Sequence, residues 1–123
     1  MPKGGYVDGF IIPIPKKSSA KYKKIAKEAC GVWKRFGALD YKECIIEDAK
    51  PSYVHLTFEK MVKTKPGEAV WFSFIVFKSR AHRDAVNKKV MAYFAKKYPN
   101  SAMEMPFDMK RFSYAGFKVM VSS

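Results

Sequence analysis

A strand followed directly by a helix, within residues 69–99, constrains the fold of this chain more than any other feature. Residues 70–77 are apolar on both faces except for Ser73, which predicts a central strand covered on both sides. Beyond it, apolar residues recur at helical spacing while most of the lysines and arginines take the opposite side. Ser79 is a suitable N-cap for this helix, and Pro99 ends it. This segment therefore predicts a core strand and a helix that packs on its sheet.

The other hydrophobic patterns complete an alternation of strands and helices. Residues 6–14, 39–47 and 112–121 alternate as strands, and the second of these places Tyr41 and Glu43 on one face. An amphipathic helix begins after Ser18 or Ser19 and ends at Gly37. Residues 53–63 also alternate, which predicts an extended segment.

The order strand, helix, strand, strand, helix, strand is typical of one fold. It predicts a single α+β domain over residues 1–123, a ferredoxin-like βαββαβ fold with an antiparallel four-stranded sheet and both helices on one face.

The second face of this sheet is expected to be apolar and uncovered. Burying each large apolar side chain contributes ~1.5–3 kcal/mol, so a dozen uncovered side chains would contribute on the order of 20 kcal/mol, more than the ~4–15 kcal/mol cost of association. We therefore expect a homodimer in which two copies pack their sheets together as an α/β barrel.

Three segments of the sequence resemble a known family. YVDGFIIPIPK near the start, SRAHRDAVNKKVM in the middle and MPFDMKRFSYAGFKVMV near the end are similar to the YbaA-like family of small bacterial proteins of unknown function. The resemblance extends over residues 6–121. It implies membership of the dimeric α/β-barrel superfamily, and it implies no particular activity.

The chain is strongly basic, with a net charge of +13. This charge attracts nucleic acids, so weak, salt-sensitive binding to them is expected. RNA-recognition sheets carry exposed aromatic residues within a basic, glycine-rich consensus, which the central strand lacks. Most of the lysines map to the outer sides of the helices, away from the sheet. RNA binding is therefore the alternative function and not the main prediction.

The sequence predicts neither a membrane partner nor a metal site. No apolar run approaches the roughly 20 residues that cross a bilayer, and the N-terminus lacks a signal-peptide apolar region, so we expect a cytoplasmic protein. Cys30 and Cys44 have neither CxxC nor Cys/His spacing and are expected to be buried thiols.

The corner between the central strand and its helix carries the densest set of ionisable groups. His82 is the predicted acid–base residue, with Asp8 on the first strand as its partner. We expect Arg80 or Arg83 at the mouth of a pocket, where guanidinium groups recognise anions. The alternatives are a structural histidine, satisfied by a carbonyl or carboxylate, and a surface ion-pair set formed by the arginines and Asp84.

Asp8 needs a partner if it is buried. We expect this partner to be Arg80 or His82 rather than Arg111 or Tyr114, although Tyr114 is predicted to line the pocket.

The superfamily that the resemblance implies contains haem-degrading and quinol-oxidising branches. The haem degraders carry Asn on the first strand, Trp on the third strand and His on the second helix. In this chain Asp8, Trp71 and His82 fall on the matching elements. Asp8 lacks the amide donor of that pattern, so we expect no cofactor, and Trp71 is predicted to line a ligand pocket.

Together these patterns predict a protein that binds a small molecule between sheet and helices. A monooxygenase- or isomerase-like activity is one option for such a pocket. A basic RNA-binding protein and a purely structural dimer are the alternatives.

Overall fold

The computed structural model describes residues 5–99 and 105–123. Within these ranges, four strands form one sheet in the order β2-β3-β1-β4, and every neighbouring pair is antiparallel. The strands are β1 (Tyr6–Pro15), β2 (Asp40–Ile45), β3 (Glu68–Phe77) and β4 (Ser113–Lys118). The helices are α1 (Ser19–Arg35), α2 (Phe58–Met61) and α3 (Arg80–Lys97). The predicted ferredoxin-like α+β fold is confirmed.

The core fills the space between the sheet and the two long helices. One cluster, containing Ile75, Phe77 and Val90, lies under α3. A second cluster, containing Ile12 and Trp71, lies under α1. The two clusters occupy different ends of the same sheet face, so residues of neighbouring strands can belong to separate sites.

The helix boundaries follow the predicted signals at most positions. The Ser79 hydroxyl accepts a hydrogen bond from the His82 backbone N–H at 3.1 Å, and α3 ends two residues before Pro99. Gly37 follows α1 with a φ of +117°, in the left-handed region that favours glycine. Ser18 precedes α1 without a side-chain capping bond, because a short 3-10 turn leads into the helix there.

The prediction of an extended segment over residues 53–63 is wrong. This stretch contains α2, whose N-cap Thr57 accepts a hydrogen bond from the Lys60 backbone N–H at 3.2 Å. Tyr53 and Lys63 have positive φ values of 69° and 53°, which a strand does not allow. A local capping signal therefore outweighs the alternation of apolar residues, which pair with no other strand.

The sheet face opposite the helices is only partly covered within one chain. Val70 and Val76 on this face are buried, whereas Phe72 is 39% exposed and Phe117 is 56% exposed. Cys44 pairs with Phe72 in the strand register and is exposed. The expectation of two buried thiols is therefore wrong: Cys44 is exposed because it lies on this face, and Cys30 is only half-buried.

Within the described ranges, none of the helices is long and apolar enough to cross a membrane.

Candidate functional site

Asp8 on β1 is completely buried and is held by two side chains of α3. The Arg83 guanidinium donates from Nη1 to Asp8 Oδ1 at 2.7 Å, and Asn87 donates from Nδ2 to Oδ2 at 3.3 Å. Residues 83 and 87 lie one turn apart on the same helix face, which here faces the sheet. The predicted partners of Asp8, Arg80 or His82, are therefore wrong.

The Arg83 guanidinium is enclosed on several sides. Its Nη1 also donates to the Tyr114 hydroxyl at 2.5 Å, and its Nε donates to Asp84 at 2.8 Å. The guanidinium carbon lies over the Tyr6 ring, 4.8 Å from the ring centroid. We call Asp8, Arg83, Asn87 and Tyr114 the Asp8–Arg83 cluster. Tyr114 reaches it because β4 pairs directly with β1.

Because the Arg83 side chain is only 12% exposed and bonded to three oxygens, it is not an open anion-binding group. Arg80, at the start of α3, is exposed.

His82 lies outside this cluster. Its Nδ1 accepts a hydrogen bond from the Lys78 backbone N–H at 3.0 Å. Its ring packs edge-on against the Phe77 ring, with the ring centroids 5.9 Å apart. Burial, followed by the charges of Lys78 and Lys89, lowers the pKa of His82. These contacts are those of a structural histidine at a helix start, and its acid–base role stays a prediction.

Trp71 lies in the other core cluster. Its ring packs edge-on against Tyr22 with the centroids 4.9 Å apart, and it is opposite Ile12 in the register, whereas Asp8 is opposite Ile75. Among the described residues, its buried Nε1 has no hydrogen-bond partner. The structure therefore places Asp8, Trp71 and His82 on the predicted elements without bringing them together.

A cavity of about 280 Å³ lies between the sheet and the helices, on the predicted side of the sheet. Its walls are mostly apolar and aromatic, and they include Phe10, Trp33, Ile75, Phe94 and Phe112. We call this space the inner cavity. As far as the structure describes the chain, none of the six predicted site residues is part of its wall.

Glu43 on β2 is the acidic group of the inner cavity. Its Oε1 accepts a hydrogen bond from the Tyr22 hydroxyl at 2.8 Å, and its Oε2 accepts one from the Tyr41 hydroxyl at 2.6 Å. Burial raises the pKa of Glu43, and hydrogen bonds from Tyr41, Tyr22 and Ser73 offset this effect only in part. Burial and the neighbouring Glu43 also raise the pKa of both tyrosines.

The sequence pattern predicts that Tyr41 and Glu43 lie on the same face of β2, but it does not indicate a function for them. Alternation in β2 places Tyr41 and Glu43 on one face, and the register sets Glu43 opposite Ser73. Tyr22 comes from α1, so the grouping depends on helix packing that spacing alone does not give.

Glu43 also reaches a shallower groove on the outer side of β2. This outer groove is lined by Lys23 and Lys27 of α1, and it shares Ala26, Tyr41 and Glu43 with the inner cavity. Glu43 thus lies at the boundary between the inner cavity and the protein surface.

A chain of hydrogen bonds connects the inner cavity to the Asp8–Arg83 cluster. The Trp33 indole N–H donates to Asn87 Oδ1 at 2.9 Å, and the Asn87 amide donates to Asp8. Trp33 forms part of the cavity wall, so the buried ion pair fixes one side of it.

The described residues contain no group of three or more His, Cys, Asp and Glu side chains placed to hold a metal ion.

Comparison with known proteins adds a family and a fold. A family model described as "Protein of unknown function (DUF1428)" matches residues 5–109. The chain is 36% identical over 116 residues to the uncharacterized protein YbaA of Escherichia coli strain K12, covering 94% of this chain and 97% of that protein. The same values hold for YbaA of Shigella flexneri. The resemblance predicted from the sequence is confirmed.

Among solved structures, the chain is similar to a dimeric ferredoxin-like protein from an uncultured marine organism. The TM-score is 0.58 at 10% sequence identity, and the match covers 97% of this chain and 98% of that one. This similarity supports the ferredoxin-like fold.

Proposed function

Because the chain belongs to the DUF1428 family, whose function is unknown, we propose a function from its own geometry. The protein is a cytoplasmic homodimer that binds a small, largely apolar molecule in the inner cavity. The observation that carries this proposal is the placement of Glu43, a partly buried carboxyl group on the wall of an apolar space of about 280 Å³. Binding sites typically combine apolar walls with a few convergent polar groups.

The position of Glu43 has a free-energy cost that a purely structural role does not explain. Burial of a carboxylate disfavours its charged form, and the raised pKa of Glu43 reflects that cost. Perturbed carboxyl groups beside cavities are concentrated at functional sites. Glu43 is therefore the anchor for a polar group of the ligand.

Should the bound molecule be converted, Glu43 is better placed than His82 to transfer a proton. Its carboxyl lies on the cavity wall, whereas the Nδ1 of His82 is occupied by the Lys78 backbone N–H. Of the two activities considered from the sequence, an isomerase-like proton transfer fits this carboxyl group better than a monooxygenase-like reaction.

The homodimer is proposed from the exposed side of the sheet. Phe72, Phe117 and Ile11 lie on the face opposite the helices, and large apolar patches of this kind mark association surfaces. The marine neighbour is itself described as dimeric. A Phe72→Asp, Phe117→Asp double variant should be monomeric by light scattering, whereas an unchanged mass would exclude this face as the interface.

The binding proposal is tested with a neutral aromatic probe and a cavity-filling variant. Indole should shift the NMR signals of Ala29 and Ile75, which line the inner cavity. Ala29→Phe should abolish these shifts, whereas Ala92→Phe, at an exposed position of α3, should preserve them. Indole shifts that persist in folded Ala29→Phe, or that are absent from the wild type, would refute binding in this cavity.

A further inference from the structure

We infer that the inner cavity selects an organic cation, a compact aromatic or aliphatic molecule that carries one protonated amine. This inference rests on the proposed binding function and adds the chemical class of the ligand. It places the amine at Glu43 and the apolar part of the ligand among the aromatic side chains.

The first argument is the pairing of carboxylates elsewhere in the molecule. Asp8 is paired with Arg83, and Glu68 is paired with Arg111 through two hydrogen bonds of 2.6 Å and 2.9 Å. Glu43, by contrast, has hydroxyl donors and, among the described residues, no cation within 4.0 Å. On the wall of the inner cavity, Glu43 is therefore a carboxyl group for which the described part of the chain supplies no positive partner.

The second argument is the absence of basic side chains from the cavity wall. The chain contains 24 lysines and arginines, but within the described residues none of them lines the inner cavity. Lys23 and Lys27 line only the outer groove. A ligand carboxylate would therefore face Glu43 without any compensating cation, whereas an ammonium group would meet its opposite charge.

The third argument is the aromatic character of the wall. Six of the fourteen described residues that line it are aromatic: Phe10, Tyr22, Trp33, Tyr41, Phe94 and Phe112. The faces of such rings attract cations, and aromatic cages that recognise organic ammonium ions are built from such rings. An ammonium group can also occupy the acceptor capacity of Glu43 that the tyrosine hydroxyls leave unused.

The size of the cavity limits the ligand. A space of about 280 Å³ lies at the lower end of the range for small-molecule sites. It accommodates one aromatic ring with a short chain, and a larger molecule would have to displace side chains.

The experiment compares three probes that share a skeleton and differ in one group: 2-phenylethylamine, 2-phenylethanol and phenylacetate. Binding is measured by NMR titration of the wild-type protein at pH 7 and about 150 mM salt, where long-range charge is screened. We expect the amine to bind at least about tenfold more tightly than the alcohol, and phenylacetate to bind more weakly than both. This order opposes the net charge of +13, which by itself would favour phenylacetate.

Two variants locate the preference. Glu43→Gln keeps the size of the side chain and removes its charge, so the amine should bind it no more tightly than the alcohol. Glu47 is exposed and lies two residues beyond the end of β2. Glu47→Gln removes the same charge from the protein and should keep the preference.

The remaining outcomes separate the inference from the binding function. If the alcohol binds and the amine is no tighter, or if phenylacetate binds best, the cavity binds ligands but the organic-cation class is wrong. If none of the three probes binds while indole does, the cavity binds neutral apolar molecules and the organic-cation class is wrong. If indole does not bind either, both proposals fail. If the amine preference survives Glu43→Gln, Glu43 is not its anchor and the inference is refuted.

Discussion

Arg83 Nη1 lies 2.7 Å from Asp8 Oδ1, and this largely buried ion pair joins α3 to β1. The Asp8 side chain is 1% exposed, and a glycine, Gly116, lies opposite it on β4. A Cβ atom at Gly116 would lie 3.0 Å from Arg83 Nη1 and 2.5 Å from the Tyr6 hydroxyl, so a larger residue there would displace the Tyr6 ring from its place beside the pair. Three elements, β1, α3 and β4, thus converge on one buried charge.

Asp8→Asn should destabilise the fold strongly. It leaves the Arg83 guanidinium without its carboxylate, and removing one partner of a buried pair costs about 3–5 kcal/mol. Urea unfolding followed by circular dichroism measures this change as a lowered free energy of unfolding. The Asp8→Asn, Arg83→Met double variant should lose less than the sum of the two single variants, because neither charge is then left unpaired.

Asp84→Asn is the matched control for that series. Asp84 also contacts Arg83, at 2.8 Å, but its side chain is 60% exposed. Exposed pairs contribute about 0–1 kcal/mol, so this variant should remain close to the wild type. Equal losses for Asp8→Asn and Asp84→Asn would contradict the dominance of the buried pair.

The stability of the protein should depend on pH through Glu43. Its pKa is raised in the folded state by burial, so the folded chain holds a proton where the unfolded chain has lost it. The resulting contribution is fully present below the unfolded value of about 4.3 and is lost as pH rises through the folded pKa. Glu43→Gln does not titrate, so its melting temperature minus that of the wild type should increase from pH 4 upward.

Thermal melts of both proteins across a pH series measure this difference, with Glu47→Gln as the control for an exposed carboxyl group. A difference that stays constant, or decreases with pH, would mean that burial does not raise the pKa of Glu43.

Patterns in the local sequence predicted most of the strands and helices of this fold. Packing between these elements determines which side chains meet in the candidate site. The run of apolar residues in β3 and the cap at Ser79 depend on neighbours in sequence, and both were found as predicted. The partner of Asp8 depends on which side of the first turn of α3 faces β1, and that side carries Arg83 and not His82. Spacing places both residues near the sheet, but it does not determine the rotation of the helix to within one residue.

The inner cavity was predicted in place but not in composition. A space between sheet and helices follows from the fold, whereas its polar group depends on the register of β2 and on the turn of α1 that carries Tyr22. Three of the six predicted site residues, Arg80, His82 and Arg83, come from the most charged corner of the sequence. In the structure Arg83 of that corner pairs with the Asp8 carboxylate of β1, whereas Glu43, on the wall of the inner cavity, has no cationic partner among the described residues.

Binding to nucleic acid should be non-specific and sensitive to salt. The net charge of +13 attracts phosphates, and the exposed lysines of α1 and α3, such as Lys24 and Lys88, lie on helix surfaces instead of on an aromatic platform. Contacts with six to ten phosphates lose about 10³–10⁵ in affinity between 50 and 200 mM salt. Fluorescence anisotropy with random RNA and DNA duplexes measures this loss. Binding that persists at high salt and prefers one sequence would instead support the RNA-binding alternative.

Protection of Cys44 should report formation of the proposed dimer. The thiol is exposed in the single chain and lies beside Phe72 on the open sheet face. Packing of a second copy on this face would cover it, so a Cys30→Ser variant should react slowly with a disulfide reagent at high protein concentration and faster on dilution. Adding Phe117→Asp to that variant should make the reaction fast at every concentration, because the charge prevents the apolar faces from associating. Fast labelling of Cys44 in a sample that light scattering shows to be dimeric would place the interface elsewhere on the molecule.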